Sequence, residues 1–232
     1  GQAKFVVTSS GGDFAAYERE DEAWKRSLDL VGRSLDMGLR VHTVDRGLVP
    51  TMLFSRSDIV VTVGPNGLVA NTAKYVGAQP IVAINPDPAQ HEPILTPFEA
   101  AQARAVVERV LAGRAAFRPV TLAEARTHDG QVLRAFNDLF IGARTHVSAR
   151  YDLALGDHAE TQSSSGVIVS TGAGSTGWLS SVFNMARGLL HFAHAPDALA
   201  DVRFGWDDRR LMFVVREPLS LIHISEPTRP ER

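Results

Sequence analysis

Cysteine is absent from all 232 residues of this chain. That absence excludes disulfide bonds, thiolate zinc sites and cysteine nucleophiles, and it fits a reducing compartment. The sequence also lacks an apolar run of the roughly 18–20 residues that a membrane-spanning helix needs, and no charged-then-apolar leader opens it. We therefore expect a cytoplasmic protein with no membrane partner.

A strong charge of either sign is missing as well. Lys and Arg number 24 against 26 Asp and Glu, which gives a formal net charge of -2, and no basic tract interrupts the sequence. Because nucleic-acid affinity depends on clustered positive charge, we expect no nucleic-acid partner. Hydrophobic residues make up 44% of the chain, enough for a sizeable core. An anionic ligand would have to bind locally, through loops and helix ends.

Both ends of the sequence have an artificial look. The chain begins with Gly1 rather than Met, and residues 219–229 (LSLIHISEPTR) resemble the translation of a sequencing-library adapter. We therefore predict that the chain is a fragment at both ends, that native sequence stops near Pro218, and that residues 219–232 are a non-native tail. The alternative is a genuine polar tail.

Strands and helices alternate in the first half of the chain. Apolar spacing predicts helices at 14–35, 68–75 and 97–111, with Thr96 and Glu99 forming a capping box and Gly38 ending the first helix. Short apolar runs predict strands at 4–8, 39–44, 58–63 and 80–85. This alternation predicts a Rossmann-like parallel sheet with helices over residues 1–115.

The second half is richer in strands. We predict strands at 116–122, 131–141, 145–155, 165–170, 202–206 and 211–215, and a helix at 178–192. A turn at Asp129 and Gly130 indicates a hairpin. The predicted fold class is therefore α/β, with a β-rich, sandwich-like domain at 116–218 following the first domain.

A loop of glycines and hydroxyls joins the strand that ends at Ser170 to the helix that begins at Trp178. Glycines let a ligand approach the backbone, while helix amides and hydroxyls can donate to a phosphate or a ribose. A purely structural turn would need one or two glycines, but not Thr171, Ser175 and Thr176 as well. The segment therefore predicts ligand binding.

Two common nucleotide motifs fit this loop poorly. No Lys precedes Ser175, so it is not a Walker A loop. Gly172, Gly174 and Gly177 satisfy the dinucleotide pattern G-x-G-x-x-G, with Asp197 about twenty residues further on. However, Asp197 lies in a predicted turn, and the preceding segment is typical of a hairpin rather than the start of a parallel unit. A Rossmann dehydrogenase is the weakest alternative.

The run from Gly166 to Trp178 resembles the NAD kinase segment G-x-I-x-S-T-P-T-G-S-T-A-Y. The positions that agree, with Trp178 standing for the aromatic residue, are Ser170, Thr171, Gly174, Ser175, Thr176 and Trp178. Phe136-Asn137-Asp138 resembles the family's L-N-E strand, and the strand ending at Asn85 resembles one ending G-I-N. Within the family, the likeness is greatest to divergent bacterial proteins labelled NAD-kinase-like or sugar kinase.

This resemblance implies an activity and a set of ligands. A protein of this family would transfer a phosphoryl group from ATP, or polyphosphate, to the 2′-hydroxyl of NAD and so form NADP, with Mg²⁺ assisting. Asn137 and Asp138 would hold the dinucleotide, and residues 170–176 would line the opposite wall of a cleft between the domains. Small-molecule nucleotides are thus the implied partners, in a protein that we expect to form a homo-oligomer.

One departure from the family matters for catalysis. Where NAD kinases carry G-G-D-G-T, this chain has Gly64-Pro65-Asn66-Gly67-Leu68. By the resemblance, Gly64, Asn66 and Gly67 would face the ribose and phosphates. Asn66 can still form hydrogen bonds, but it cannot accept a proton as the family's Asp is held to do. General-base help is worth about 10²–10⁴-fold, so we expect slow phosphoryl transfer. The alternatives are a nucleotide-binding module without catalysis, or a kinase for a sugar or lipid.

Other acids and histidines offer little compensation. Asp87 is the nearest substitute base by topology, although a turn residue is the favoured interpretation. Asp13 also follows a Gly-Gly pair, and we interpret it as a helix N-cap. His191 and His194 have no evident acidic third ligand, so we expect no resident metal site.

Overall fold

The computed structural model describes residues 2–90, 92–200 and 202–220. Two compact units divide the chain, at Gly1–Phe117 and Arg118–Arg232. A parallel sheet lies in the first unit and antiparallel sheets in the second, so the predicted α/β fold class is confirmed. Most of the predicted non-native tail, residues 221–232, lies outside the described residues. Across the described part of the chain, no helix combines the length and apolarity needed to cross a membrane.

The first unit places three parallel strands among its helices. Its elements are α1 (Gln2–Ser9), α2 (Phe14–Ser34), a 3₁₀ helix (Arg46–Thr51), β1 (Val60–Val63), α3 (Asn66–Ala73), β2 (Ile81–Asn85), β3 (Phe98–Glu99), a second 3₁₀ helix (Ala100–Gln102) and α4 (Ala103–Leu111). β2 lies between β1 and β3, with Val60 opposite Ile81 and Asn85 opposite Glu99. The carboxyl ends of β1 and β2 therefore lie at one edge of the sheet.

The core of this unit lies between β2 and the helices α2 and α4. Ile84 and Ala103 are fully buried, and Val31 of α2 joins the same cluster. β2 is a continuous apolar run, which is the pattern of a strand covered on both faces. Asp13 accepts a hydrogen bond from the Ala15 amide at 2.9 Å, so its interpretation as the N-cap of α2 is confirmed.

Two strands predicted in the first unit are wrong. Residues 4–8 form part of α1, and residues 39–44 have no strand pairing. Phe5, Leu39 and Val41 are exposed, so their apolar side chains are not covered as they would be in a buried strand. β-propensity depends on a neighbouring strand, and neither segment pairs with one. In α1 the backbone groups bond within the helix instead.

The fourth helix begins later than its predicted capping box. Glu99 and Gln102 form the box, and the Glu99 amide donates to Gln102 Oε1 at 2.8 Å. The prediction of Thr96 as N-cap is wrong because Phe98 and Glu99 pair with β2 and keep the chain extended. Gly38 likewise does not end α2, which stops at Ser34, although Gly38 has a φ of 73°.

The second unit is built from antiparallel strands and one long helix. Its elements are β4 (Ala123–Arg126), β5 (Val132–Ala135), β6 (Asp138–Ile141), β7 (Ala149–Leu155), β8 (His158–Ser164), β9 (Val167–Ser170), a 3₁₀ helix (Gly174–Thr176), α5 (Trp178–Phe192) and β10 (Met212–Val215). β9 lies between β10 and β6. β4 and β5 form the predicted hairpin, with Gly130 at a φ of 85°. The predicted helix at 178–192 is confirmed.

Several predicted strands of the second unit differ from the structure. Residues 116–122 and 202–206 form no strand. The two segments are joined by a hydrogen bond that the Thr121 amide donates to the Trp206 carbonyl at 2.8 Å. The predicted strand at 131–141 divides at Phe136 and Asn137, whose carbonyls accept hydrogen bonds from Thr171. β8 was missed because its sequence is polar, yet it pairs with β7 along its whole length.

Candidate functional site

The first candidate segment is the loop between β1 and α3. The Gly64 amide donates to the Ile84 carbonyl at 3.1 Å, which continues the pairing of β1 and β2 by one residue. Pro65 occupies the N-cap position of α3 and supplies no side-chain cap. Asn66 therefore begins the helix. Gly67 is exposed, and no atom lies within 4 Å of the place a Cβ would take.

The Asn66 side chain bonds to residues far along the chain. Its Nδ2 donates to the Glu92 carbonyl at 3.0 Å. Its Oδ1 accepts from the Leu95 amide at 2.8 Å and from the Thr96 hydroxyl at 3.4 Å. Both ends of the amide are thus engaged by the segment that leads into β3.

The end of β2 carries Asn85 and the turn that follows it. Asn85 is 3% exposed, and its Oδ1 accepts a hydrogen bond from the Asp87 amide at 3.0 Å. This hydrogen bond closes a turn that contains Asp87, which confirms the interpretation of Asp87 as a turn residue.

A shallow depression of about 290 Å³ lies at the carboxyl ends of β1 and β2. It is lined by Tyr17, Glu20, Asp21, Trp24, Pro65, Pro86 and Asp87. Helix α2 forms one side of it, because Trp24 Nε1 donates to the Val63 carbonyl at 3.1 Å and the Ser27 hydroxyl donates to the Pro86 carbonyl at 2.9 Å. In open α/β sheets, ligands bind outside the carboxyl ends of the strands.

The second candidate segment is the loop between β9 and α5, and its buried hydroxyls bond internally. Thr171 Oγ1 donates to the Phe136 carbonyl at 2.6 Å and accepts from the Gly174 amide at 3.1 Å. Ser175 Oγ donates to the Gly172 carbonyl at 2.7 Å. Both side chains are almost completely buried. These hydroxyls therefore have a structural use, contrary to the expectation that a structural turn would not need them.

Two glycines of this loop allow close backbone contact. A Cβ on Gly172 would overlap the Gly205 carbonyl oxygen, and a Cβ on Gly174 would overlap the Asn137 carbonyl oxygen. No side chain fits in either place without movement of the backbone. The Phe204 amide also lies 3.5 Å from Ser175 Oγ. The loop is thus enclosed by residues 136–137 on one side and 204–205 on another.

The accessible part of this loop is its end. Thr176, Gly177 and Trp178 are exposed, whereas Ser170 is fully buried. Gly177 occupies the N-cap position of α5 and supplies no side-chain cap to the first amides of the helix. The Trp178 ring packs against Phe140, with ring centroids 5.5 Å apart.

Asn137 and Asp138 lie beside the loop at the start of β6. The Thr171 amide donates to the Asn137 carbonyl at 2.9 Å, and Asp138 pairs with Ser170 in the sheet. Burial raises the pKa of the Asp138 carboxyl, and the neighbouring Ser170 hydroxyl offsets part of that rise. Asp138 Oδ1 is buried and has no hydrogen-bond partner among the residues that the structure describes. It is a ready acceptor for an N–H or O–H group.

Sequence reasoning missed the residues that cover this loop from the side of residues 204–206. Trp206 packs edge-on against Phe136, with ring centroids 6.2 Å apart. The Arg118 guanidinium lies 3.5 Å from the Trp206 ring centre. The apolar residues of segment 202–206 predict a strand in the sequence, and the structure places them against the loop instead. Nothing in the spacing indicated a contact with the loop.

Metal-binding groups do not gather in the parts of the chain that the structure describes. No three His, Asp or Glu side chains there are placed to hold an ion. Mg²⁺ favours carboxylate and phosphate oxygens, and the β1–α3 loop supplies no carboxylate at Asn66. The loop residues therefore do not fit a protein-held Mg²⁺.

Comparison with known proteins identifies the fold. No family model and no curated protein matches the sequence. Among solved structures, yeast NADH kinase complexed with NADH aligns with a TM-score of 0.52 and 18% identity, over 80% of this chain. An NAD kinase from Archaeoglobus fulgidus in complex with ATP aligns with a TM-score of 0.51 and 16% identity, over 88% of this chain. This chain therefore has an NAD-kinase-like fold.

The aligned proteins are longer than this chain. The alignment covers 50% of the yeast enzyme and 71% of the archaeal one. The chain therefore spans half the length of the yeast relative.

Proposed function

We propose that this chain binds NAD and ATP as an NAD-kinase-like phosphotransferase, whose transfer to the 2′-hydroxyl of NAD is slow. One observation carries the proposal. Two segments that resemble the NAD kinase family, Asn137-Asp138 and 170–176, adjoin each other through the bond between Thr171 and Asn137. The structural neighbours were determined with NADH and with ATP, which supports the same ligand class here.

The residues divide into framework and contact groups. Ser170, Thr171 and Ser175 are buried, so we assign them to holding the loop in shape. The groups that a nucleotide could reach are the Thr176 side chain, the exposed Asn137 side chain and the first backbone amides of α5. Asp138 would accept a hydrogen bond from a ribose hydroxyl or a base amino group. Uncapped helix amides favour anions, which suits a phosphate.

Slow transfer follows from the β1–α3 loop. The attacking hydroxyl gains from a group that removes its proton, and the Asn66 amide cannot accept one. Mg²⁺ supplies charge neutralisation at transferring phosphates, and here it would have to arrive bound to the nucleotide. Polyphosphate stays an alternative donor.

The proposal is tested by measuring binding and turnover separately. Isothermal titration of the chain with NAD and with ATP should show saturable binding. Incubation with ATP, Mg²⁺ and NAD should form NADP at a rate about 10²–10⁴-fold below that of a kinase with the acid in place. Thr176→Val should weaken nucleotide binding. Failure to bind NAD, NADH or ATP would overturn the proposal.

A nucleotide-binding protein without transferase activity is the second candidate. The contacts of Asn66 favour it, because both ends of its amide are already engaged within the protein. Saturable NAD binding with no NADP from ATP or polyphosphate would select it. A thermal-shift comparison of NAD with sugars and lipid head groups would reveal a kinase for another acceptor.

Assembly, location and domain limits stay predictions from the sequence. We propose a cytoplasmic homo-oligomer with domains at 1–115 and 116–218. Size-exclusion chromatography with light scattering would measure the oligomeric state, and limited proteolysis would locate the domain boundary.

A further inference from the structure

The Asn66 side chain and its three partners, which we call the Asn66 latch, form a link across the first unit. The partners are the Glu92 carbonyl, the Leu95 amide and the Thr96 hydroxyl. We propose that Asn66 is a positioning residue that fixes segment 92–96 on the first turn of α3, and that this task requires an amide. The latch gives a reason for Asn66 where the resembling kinases carry Asp; its bearing on catalysis rests on the proposed function.

The polarity of the latch follows from backbone groups. The Leu95 N–H can only donate and the Glu92 C=O can only accept, so the orientation of the Asn66 amide is determined by its partners. A single planar group must therefore present an acceptor to Leu95 and a donor to Glu92. Asn meets both demands at this length, whereas an ionised Asp has acceptors only.

The latch joins two segments that are distant in the sequence. Segment 92–96 lies in the connection from β2 to β3, and Thr96 in it is 1% exposed. The bonds from Asn66 span 26 to 30 residues of sequence. They tie the β2–β3 connection to Asn66, the first residue of α3.

The Asn66→Asp substitution would break one side of the latch. The second carboxylate oxygen would take the place of Nδ2, about 3.0 Å from the Glu92 carbonyl oxygen, and two acceptors would then face each other. The protonated carboxyl would restore a donor. Among the described residues, those of α3 carry no ionisable side chain, Glu92 bonds to Asn66 through its backbone carbonyl, and Asp87 lines the same depression as Pro65.

The test is the hydrogen-exchange protection of the Leu95 amide in the nucleotide-free chain. At pH 7, Asn66→Ala should lower protection about tenfold or more, since the acceptor for the Leu95 amide is lost. Asn66→Asp should also lower protection, because repulsion between its carboxylate and the Glu92 carbonyl loosens segment 92–96. Lowering the pH toward 4 should restore protection in Asn66→Asp and leave Asn66→Ala unchanged, after correction for intrinsic exchange. Asn184→Asp, the same change at an exposed position of α5, should behave as the unaltered chain.

The sign of this pH effect follows from the donor requirement. We expect the repulsion from the Glu92 carbonyl to outweigh the hydrogen bonds that Leu95 and Thr96 donate, so the carboxyl of Asn66→Asp should have a raised pKa in the folded state. Its stabilisation is fully present below the unfolded pKa of about 3.9 and is lost as pH rises through the folded pKa. A packing role alone would give no such recovery.

Turnover provides a second readout. Asn66→Asp should not increase NADP formation, because the loop around it depends on the amide. Unchanged Leu95 protection in Asn66→Ala, or a gain of NADP formation in Asn66→Asp, would overturn the latch. Should Asn66→Asp fail to fold at pH 7, the Asn66→Ala result still decides. Loss of NAD binding by the unaltered chain would refute the proposed function and leave the latch standing.

Discussion

The β1–α3 loop and the β9–α5 loop share a local design but use their polar side chains differently. Each follows a strand of a sheet, contains glycine and leads into a helix without a side-chain cap. In the β9–α5 loop, Thr171 and Ser175 bond to carbonyls inside or beside the loop. In the β1–α3 loop, Asn66 bonds to a connection 26 residues away. One loop is held by its own hydroxyls, and the other serves to hold a different segment.

This difference shows that a motif's residue types do not reveal its role. Hydroxyls that suggest ligand contacts can instead form hydrogen bonds within the protein, since buried polar groups need partners. An amide at a position associated with catalysis can likewise be a structural link. The exposed residues beside each loop, Gly67 and Thr176, are the better places to look for ligand contacts.

The largest loss of stability should come from blocking the close backbone contact between Gly172 and Gly205. Gly172→Ala places a Cβ against the Gly205 carbonyl oxygen, where backbone must shift, and we expect a loss of about 3 kcal/mol or more in the free energy of unfolding. Chemical denaturation followed by tryptophan fluorescence measures it. Gly188→Ala in α5 is the matched control, because open space surrounds it and alanine favours a helix. Equal stability of the two variants would contradict the described packing.

A smaller effect should separate the buried hydroxyl from the exposed one. Thr171→Val removes the donor to Phe136 and the acceptor for Gly174, at a cost of about 1–3 kcal/mol in unfolding free energy. Thr176→Val, at an exposed position five residues on, should leave stability within about 0.5 kcal/mol. Urea titrations of both variants make the comparison. A loss of stability in the Thr176 variant as large as that in the Thr171 variant would contradict the division into framework and contact residues.

The smallest effect should be the pH dependence set by Asp138. Its pKa is raised in the fold by burial, so the folded state binds its proton more tightly than the unfolded chain does. Stability from this group is present below the unfolded pKa and is lost as pH rises through the folded pKa. Asp138→Asn should remove that contribution, and denaturation midpoints from pH 4 to 7 should therefore fall less with rising pH than in the unaltered chain. Parallel pH profiles for both proteins would contradict the raised pKa.

Elements with strong local patterns could be predicted from the sequence. The helices α2 and α5 show clear apolar spacing, and β2 is a continuous apolar run. The strand predictions at 4–8 and 39–44 are wrong because strand formation depends on a partner strand that local sequence does not specify. The sequence does not predict β8, because its residues are polar, but a partner strand is present and β8 pairs with β7.

The sequence indicates where the candidate segments lie along the chain, but not which residues they contact. The family resemblance pointed to Asn66 and to residues 170–176, and these do lie at strand-to-helix junctions. The bonds from Asn66 to segment 92–96 and from Thr171 to Phe136 join residues 26 to 35 positions apart. Single-sequence patterns reach about one helical turn or one strand pair. Contacts at such separations require the folded arrangement.

The approach of Gly172 to Gly205 has a consequence for engineering and for evolution. Because the two backbones meet with no room for a side chain, the loop and residues 204–206 cannot vary independently. A library of variants at Gly172 should yield stable members only when the 204–206 segment changes with it. Transplanting the loop into another scaffold would require carrying that segment along, since two separate stretches of chain determine the loop's shape.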